Sequence, residues 1–373
     1  MSGASVGALE TPVSEEGGAG DRANRTALVT CEQWLGSNGY AGFRALRRAG
    51  WMAHLVPERE FVPLRWRSTP MRAAARLLRH RSVAEFNREL VRQATLQRPS
   101  FFLAFKGAFV TANTVRAMRA AGIRTYCFFP DVSFQAHGRY LPHALRSYDW
   151  VFITKSFGLT DLEQALGVTR ASLLLHGFDP EVHRPVELTA TERDVYECDV
   201  SFIGTWSPKK EEALLALARQ RPHLRLKVWG EQWEGARRHP ELSRAIAGRE
   251  VTGDEYARAI VGSTINLALL SERRAGASRG DQITSRTFHI PACGAFMLHE
   301  RTAELLEQFE EGSTVACFDG TDELVRRVDE YLRDGEARRR IAERARALVW
   351  GRDSWDHRIR VILDHHLEER ARS

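Results

Sequence analysis

The sequence predicts an α/β protein of two Rossmann-like domains, each a parallel sheet with helices on both faces. Three observations predict it. Short apolar runs alternate with amphipathic helical patterns along most of the chain. One segment, Asp179–Glu197, breaks that rhythm with Pro180, Pro185, many charges and no apolar periodicity. The chain has 373 residues, which suits two cores better than one.

Residues 1–24 are rich in Gly, Ala, Ser and Glu, with no apolar core, and read as a disordered tail rather than a signal peptide or an anchor. The first domain is expected over residues 25–178. Its predicted strands are Ala27–Cys31, Met52–Val56, Ser100–Phe105, Arg124–Phe129, Trp150–Thr154 and Ser172–Leu175. Helical patterns fall between them at Tyr40–Ala49, Met71–Arg79, Val83–Gln97, Asn113–Ala121 and Leu159–Leu166. Gly50, Gly122 and Gly167 follow three of these helices directly, where a C-terminal cap belongs. Residues 179–198 form the expected linker.

The second domain is expected over residues 199–352, with strands at Val200–Ile203, Leu224–Trp229, Ile265–Leu270, Ala295–Leu298 and Val315–Phe318. Ser207 followed by Pro208 marks a helix start, with Leu214, Leu215, Leu217 and Ala218 as its buried face. Thr252 and Glu255 have capping-box spacing ahead of Tyr256–Val261. Leu324–Leu332, Arg338–Val349 and Trp355–Glu369 complete the helices, the last lying in a closing segment, residues 353–373.

The net charge is +6, which invites a nucleic-acid reading. Its makeup argues otherwise. The chain has five lysines and 49 arginines, and the arginines are spread over helices that also carry Glu and Asp. The five cysteines include no C-x-x-C pair and sit mostly at the ends of apolar runs, so they read as free, buried thiols of a reducing, cytoplasmic compartment. No stretch approaches the ~20 apolar residues of a membrane span.

Sheets of this type bind ligands beyond the carboxyl ends of their strands, so the loops there are the candidates. Gly36-Ser-Asn-Gly39-Tyr-Ala-Gly42 follows the first strand without the dinucleotide fingerprint. It suits a loop facing a cleft, and equally an ordinary Gly-rich turn. In Phe202-Ile203-Gly204-Thr205-Trp206-Ser207-Pro208-Lys209-Lys210, a strand runs into a glycine and a helix starts with two lysines. Cations there oppose the helix dipole. A bound anion would justify them; a solvated lysine pair is the plain alternative. Trp229-Gly230 could wall a base ring or simply pack. The long Gly/Arg loop 273–286 ends with Arg286 in the first turn of a helix, again suited to an anion, or else a mobile surface loop.

Residues 199–360 resemble the C-terminal domain of the CgeB-like glycosyltransferases, relatives of glycosyltransferase group 1. The pattern R-x-F-E-x-x-A-x-G-x-F-x-L stands here as Arg286-Thr-Phe288-His289-Ile-Pro-Ala292-Cys-Gly294-Ala-Phe296-Met-Leu298. Phe309-Glu-Glu-Gly312, Phe318, Glu323-Leu324 and Ile341-Ala342 follow in order. In the first half Phe105-Lys106-Gly107, Phe129-Pro130-Asp131, Tyr148-Asp149-Trp150-Val151-Phe152 and His176-Gly177-Phe178-Asp179-Pro180 also match.

The resemblance implies a GT-B fold, with a nucleotide-sugar donor in the second domain, an acceptor in the first, and the last helix crossing back. Donor-side candidates are then Gly204, Lys209, Lys210, Trp229, Gly230, Asp281, Arg286, His289 and Gly294. Gly39 and Lys106 are acceptor-side candidates. Asp131 and His137 are candidate catalytic groups for an inverting reaction; a retaining one needs no dedicated base. The chain has no D-x-D motif, and neither a metal nor another cofactor is expected. Retaining relatives carry two acidic residues eight positions apart, the second binding the ribose. Here Asp281 holds the first position and His289 the second. That departure keeps open a catalytically silent protein that binds a nucleotide or glycan. A nucleic-acid-associated protein is a weaker reading, and a nicotinamide oxidoreductase lacks its fingerprint. The acceptor stays open among glycans, proteins and small molecules.

Overall fold

The computed structural model describes residues 25–62 and 69–372. The tail expected over residues 1–24 lies outside them. Six strands form the first sheet: β1 (Thr26–Cys31), β2 (Met52–Pro57), β3 (Phe101–Phe105), β4 (Arg124–Phe129), β5 (Trp150–Ile153) and β6 (Ala171–Leu173). Their order is β2-β1-β3-β4-β5-β6, with every pairing parallel. The second sheet has five: β7 (Cys198–Ile203), β8 (Leu226–Trp229), β9 (Ser263–Ala268), β10 (Met297–Glu300) and β11 (Ala316–Phe318). Its order is β11-β10-β9-β7-β8, again all parallel.

Alternation along β3 explains why this sheet needs cover on both faces. Phe102 and Ala104 point into one core with Val83, Phe86, Leu141 and Tyr148. Phe101, Leu103 and Phe105 point into the other, with Ala41, Leu46, Trp355 and Ile359. The first core is covered by α3 (Thr69–Gln97), α4 (Ala112–Ala120), α5 (Tyr140–Leu145) and α6 (Ser156–Leu166), which follow α1 (Asn38–Arg48) and α2 (Glu58–Phe61) in the chain. The second is covered by α1 and by the chain's last helix. Gly50, Gly122 and Gly167 all have positive φ just after helices α1, α4 and α6, as their spacing predicts.

The second domain carries α7 (Ala190–Tyr196), α8 (Pro208–Gln220), α9 (Pro240–Ser243), α10 (Asp254–Val261), α11 (Arg286–Ala292), α12 (Ala303–Gln308), α13 (Gly320–Arg333) and α14 (Gly335–Arg352). Helix α15 (Trp355–Ala371) then returns to the first sheet. Trp355 meets Phe105 and Phe128 edge-on, and Tyr126 Oη lies 3.0 Å from His366 Nδ1. The crossing is fixed by a backbone bridge: Phe178 N–H donates to Asp353 O at 3.0 Å, and Trp355 N–H donates to Phe178 O at 2.8 Å.

Two local expectations need correction and two others gain detail. The two helical patterns at Met71–Arg79 and Val83–Gln97 belong to one helix, α3. The expected linker carries structure of its own: Thr189 and Glu192 make a complete capping box on α7, and the buried Asp179 pairs with Arg44 of α1. Thr252 does not cap α10. Gly253 takes the N-cap position, and Glu255 instead binds Arg249 and Tyr196. Ser207 does occupy the N-cap of α8, without a side-chain cap bond.

Candidate functional site

The carboxyl ends of both sheets face a cleft of about 320 Å³ between the domains. Residues just past β1, β3 and β4 supply one wall: Glu32, Lys106 and Asp131. Residues just past β7 and β8 supply the other: Gly204, Thr205, Gly230 and Glu231. Arg286, at the first position of α11, joins the second wall.

Two glycines let the second wall close up. Gly230 has φ +134°, and a Cβ there would lie 2.1 Å from Gly204 O. A Cβ on Gly204 would lie 2.8 Å from Arg286 Nη1. Backbone therefore meets backbone, and the guanidinium sits directly on the turn. Gly39 has the same function on the other wall, where a Cβ would lie 2.3 Å from Cys31 Cβ and hold α1 off the sheet.

Arg286 donates to Leu269 O at 2.7 Å and Ile203 O at 3.3 Å, and its Cζ lies 5.1 Å from the Phe202 ring centre. Its Nε is buried and has no partner among the described residues. Burial lowers its pKa, but an arginine keeps its charge. Lys210 lies behind it, 4% exposed, donating to Thr205 O at 3.1 Å and Ser271 Oγ at 2.9 Å. Burial and then the Arg286 charge push the Lys210 ammonium down to about 8. Among the described residues neither cation forms an ion pair, although Glu231 lines the same wall.

On the first wall Asp131 Oδ2 lies 2.9 Å from Lys106 Nζ and 2.9 Å from His137 Nε2. Burial would raise the Asp131 pKa, but the His137 hydrogen bond and the Lys106 charge outweigh it, holding the carboxyl well below the usual carboxylate range. Such a carboxylate accepts hydrogen bonds but is a weak proton acceptor. Lys106 itself has φ +65°, a backbone conformation that costs a non-glycine residue about 1–2 kcal/mol. Glu32 accepts from Trp34 Nε1 at 2.9 Å and pairs with Arg59 at 3.1 Å. Asn38 lines the cleft with Nδ2 3.3 Å from His176 Nδ1, while its buried Oδ1 has no partner among the described residues.

His289 lines the cleft where the domains join. Its ring stacks on His183, with centroids 3.8 Å apart and planes 13° apart. Nε2 lies 3.3 Å from Gly177 O, so it carries the proton, and Nδ1 can accept from Tyr256 Oη at 3.3 Å. Burial pushes its pKa down to about 3, so the ring is neutral. A ligand would have to displace one of those two contacts to use it.

Of the residues singled out from sequence, Gly39, Lys106, Asp131, Gly204, Gly230, Arg286 and His289 line the cleft, with His137 one hydrogen bond behind. Five others lie off its surface. Lys209 pairs with Glu300. Lys210 is turned inward, as above. Trp229 packs with Tyr196, Val251 and Ala259, so it walls nothing. Gly294, at φ +75°, ends α11 beside Pro185 and Arg346. Asp281 pairs at 2.7 Å with Lys155, which also donates to Ile283 O at 2.7 Å. Lys155 follows β5 of the first domain, so this buried pair ties the Gly/Arg loop across to that domain. Ser133 Oγ, donating to Ala275 O at 2.7 Å, adds to the tie. Sequence reading missed Lys155, Glu32 and Asn38, although each lies at or near the carboxyl end of a first-domain strand.

Residues 209–364 match a family model described as glycosyl transferase-like. A comparison with curated protein sequences returned no match. Among solved structures, a sucrose-phosphate synthase from Thermosynechococcus elongatus superposes with a TM-score of 0.67 at 13% identity, covering 93% of this chain and 100% of that one. A glycosyltransferase from Rickettsia africae gives 0.64 at 12% identity, covering 93% and 98%. The Anabaena protein HepE, in complex with UDP-glucose, gives 0.62 at 13% identity, covering 91% and 98%.

The fold is GT-B. Two parallel-sheet domains meet across a cleft, and the GT-B arrangement includes the last helix, α15, returning to the first domain. Among the described residues no helix is long and apolar enough to cross a membrane.

Proposed function

We propose that this GT-B protein is a glycosyltransferase that moves a sugar from a nucleoside-diphosphate donor to an acceptor hydroxyl, without a metal ion. The observation that carries the reading is Arg286. Its guanidinium sits at the cleft surface on the Gly204–Gly230 turn, unpaired by any described carboxylate, with the Lys210 ammonium buried behind it. A diphosphate leaving group needs preorganised positive charge, and losing one such donor typically costs ~10²–10³ in rate. The glycosyl transferase-like match over residues 209–364, and the structural neighbour that holds UDP-glucose, support the same reading.

On this reading Asp131 positions the acceptor by accepting its hydroxyl hydrogen. If the reaction inverts, His137, whose Nε2 lies 2.9 Å from Asp131 Oδ2, is the candidate proton acceptor. Thermal-shift measurements with UDP, GDP, ADP, CDP and dTDP, each with and without EDTA, test the donor. A shift that survives EDTA and vanishes in Arg286→Gln supports the proposal. A nucleotide shift that Arg286→Gln leaves unchanged places the phosphates elsewhere.

A second reading rests on His289 and Asp281. One is neutral with both ring nitrogens engaged, and the other is spent on Lys155. A protein that binds a nucleotide without turning it over fits both. Measurable binding with no hydrolysis or transfer from any common nucleotide sugar would favour it.

A further inference from the structure

We infer that the acceptor is a neutral, hydroxyl-rich molecule such as an unphosphorylated sugar or polyol, and not a sugar phosphate; this rests on the donor reading above. The argument is one of donor and acceptor matching on the first-domain wall. Its polar groups are mostly hydrogen-bond acceptors: the Glu32 carboxylate, the Asp131 carboxylate and the buried Asn38 Oδ1, which has no partner among the described residues. Acceptors of this kind are satisfied by O–H donors. A polyol presents several; a phosphate dianion presents none.

Among the described residues the cations on that wall are already committed. Lys106 is held 2.9 Å from Asp131, and Arg59 is held 3.1 Å from Glu32. A phosphate would have to break one of these pairs to gain a counter-charge, and would then lie beside the abandoned carboxylate. The Asp131 carboxylate faces Lys106 and His137 through Oδ2 and still lines the cleft, partly exposed, where a ligand hydroxyl can reach it. Trp34, half-buried and held by its Nε1–H to Glu32, supplies an aromatic surface beside these groups, the usual apolar partner of a sugar ring's C–H face. The guanidinium of Arg286, which forms no ion pair among the described residues, lies on the opposite wall.

Ligand-observed NMR on the full chain, saturated with the nucleotide that gives the largest thermal shift, tests this. The probes are a panel of neutral hexoses, disaccharides and inositol, and the 6-phosphates of the same hexoses. We expect saturation transfer to at least one neutral compound, at least about tenfold weaker binding of its phosphate, and loss of the neutral signal in Asp131→Asn and Asn38→Leu while the nucleotide shift persists. The persisting shift shows that the variants fold. Tighter binding of phosphates than of neutral compounds overturns the inference, and so does binding of neither set to the nucleotide-loaded protein. Absence of any nucleotide shift counts against the donor reading instead.

Discussion

Replacing Lys155 by Met tests whether the two domains are held by the buried pair with Asp281. The Lys155 side chain is 2% exposed and that of Asp281 is 10% exposed, with 2.7 Å between Nζ and Oδ1. Lys155 also satisfies Ile283 O at 2.7 Å. The variant strands a carboxylate and a carbonyl in a low-dielectric site, which costs about 3–5 kcal/mol when one partner of a buried pair is removed. Removing both charges takes away the penalty with the attraction, so Lys155→Met/Asp281→Leu should regain most of that loss. Urea denaturation of wild type, both single variants and the double variant closes the cycle. A Lys155→Met loss below about 1 kcal/mol refutes the reasoning, as does a double variant no more stable than the singles. Either result would mean the pair is hydrated and the Gly/Arg loop is held by its other contacts.

Other outcomes follow from the same geometry. Gly230→Ala places a Cβ 2.1 Å from Gly204 O at φ +134°, so overpacking and backbone strain together should cost about 2–6 kcal/mol, read as a lowered melting temperature. Arg286→Gln should abolish a nucleotide stabilisation that reaches about 2.7 kcal/mol at 100 times Kd. Stability should fall with acidification. Burial pushes His289 down to about 3, and His299 and His366 to about 4, so the unfolded chain takes up protons below about pH 6.5 before the folded one does. Glu58, raised to about 7 by burial and then by Glu32, pulls the other way over pH 7 to 4.5. With His176 and His183 also lowered by burial, the histidines outnumber Glu58, so the urea midpoint should fall between pH 6.5 and 4.5; a midpoint that rises over this window contradicts the assignment of these rings as buried and neutral.

Much of the fold was legible because its signals are local. Phe101–Phe105 is apolar at every position, as a strand covered on both faces must be, and Gly167 sits where a helix needs a left-handed residue. Arg286 was legible as a cation misplaced for its helix dipole, and the structure puts it on the cleft. Trp229 and Asp281 were not legible. A Trp at a strand end reads the same whether it faces a ligand or Tyr196. Asp281 depends on Lys155, 126 residues earlier, and nothing in either neighbourhood announces the other.

By itself the sequence determined the alternation of strands and helices, the two-domain division, and the caps at Gly50, Gly122 and Gly167. These follow from residue shape and period over short stretches of chain. Tertiary structure alone decided which cations stay uncommitted and which carboxylates are spent. Lys209 meets Glu300 across 91 residues, Lys106 meets Asp131, and Arg286 donates to backbone carbonyls and lies over the Phe202 ring. Charge pairing is a matter of distance and burial, and those exist only once the two sheets have been brought face to face.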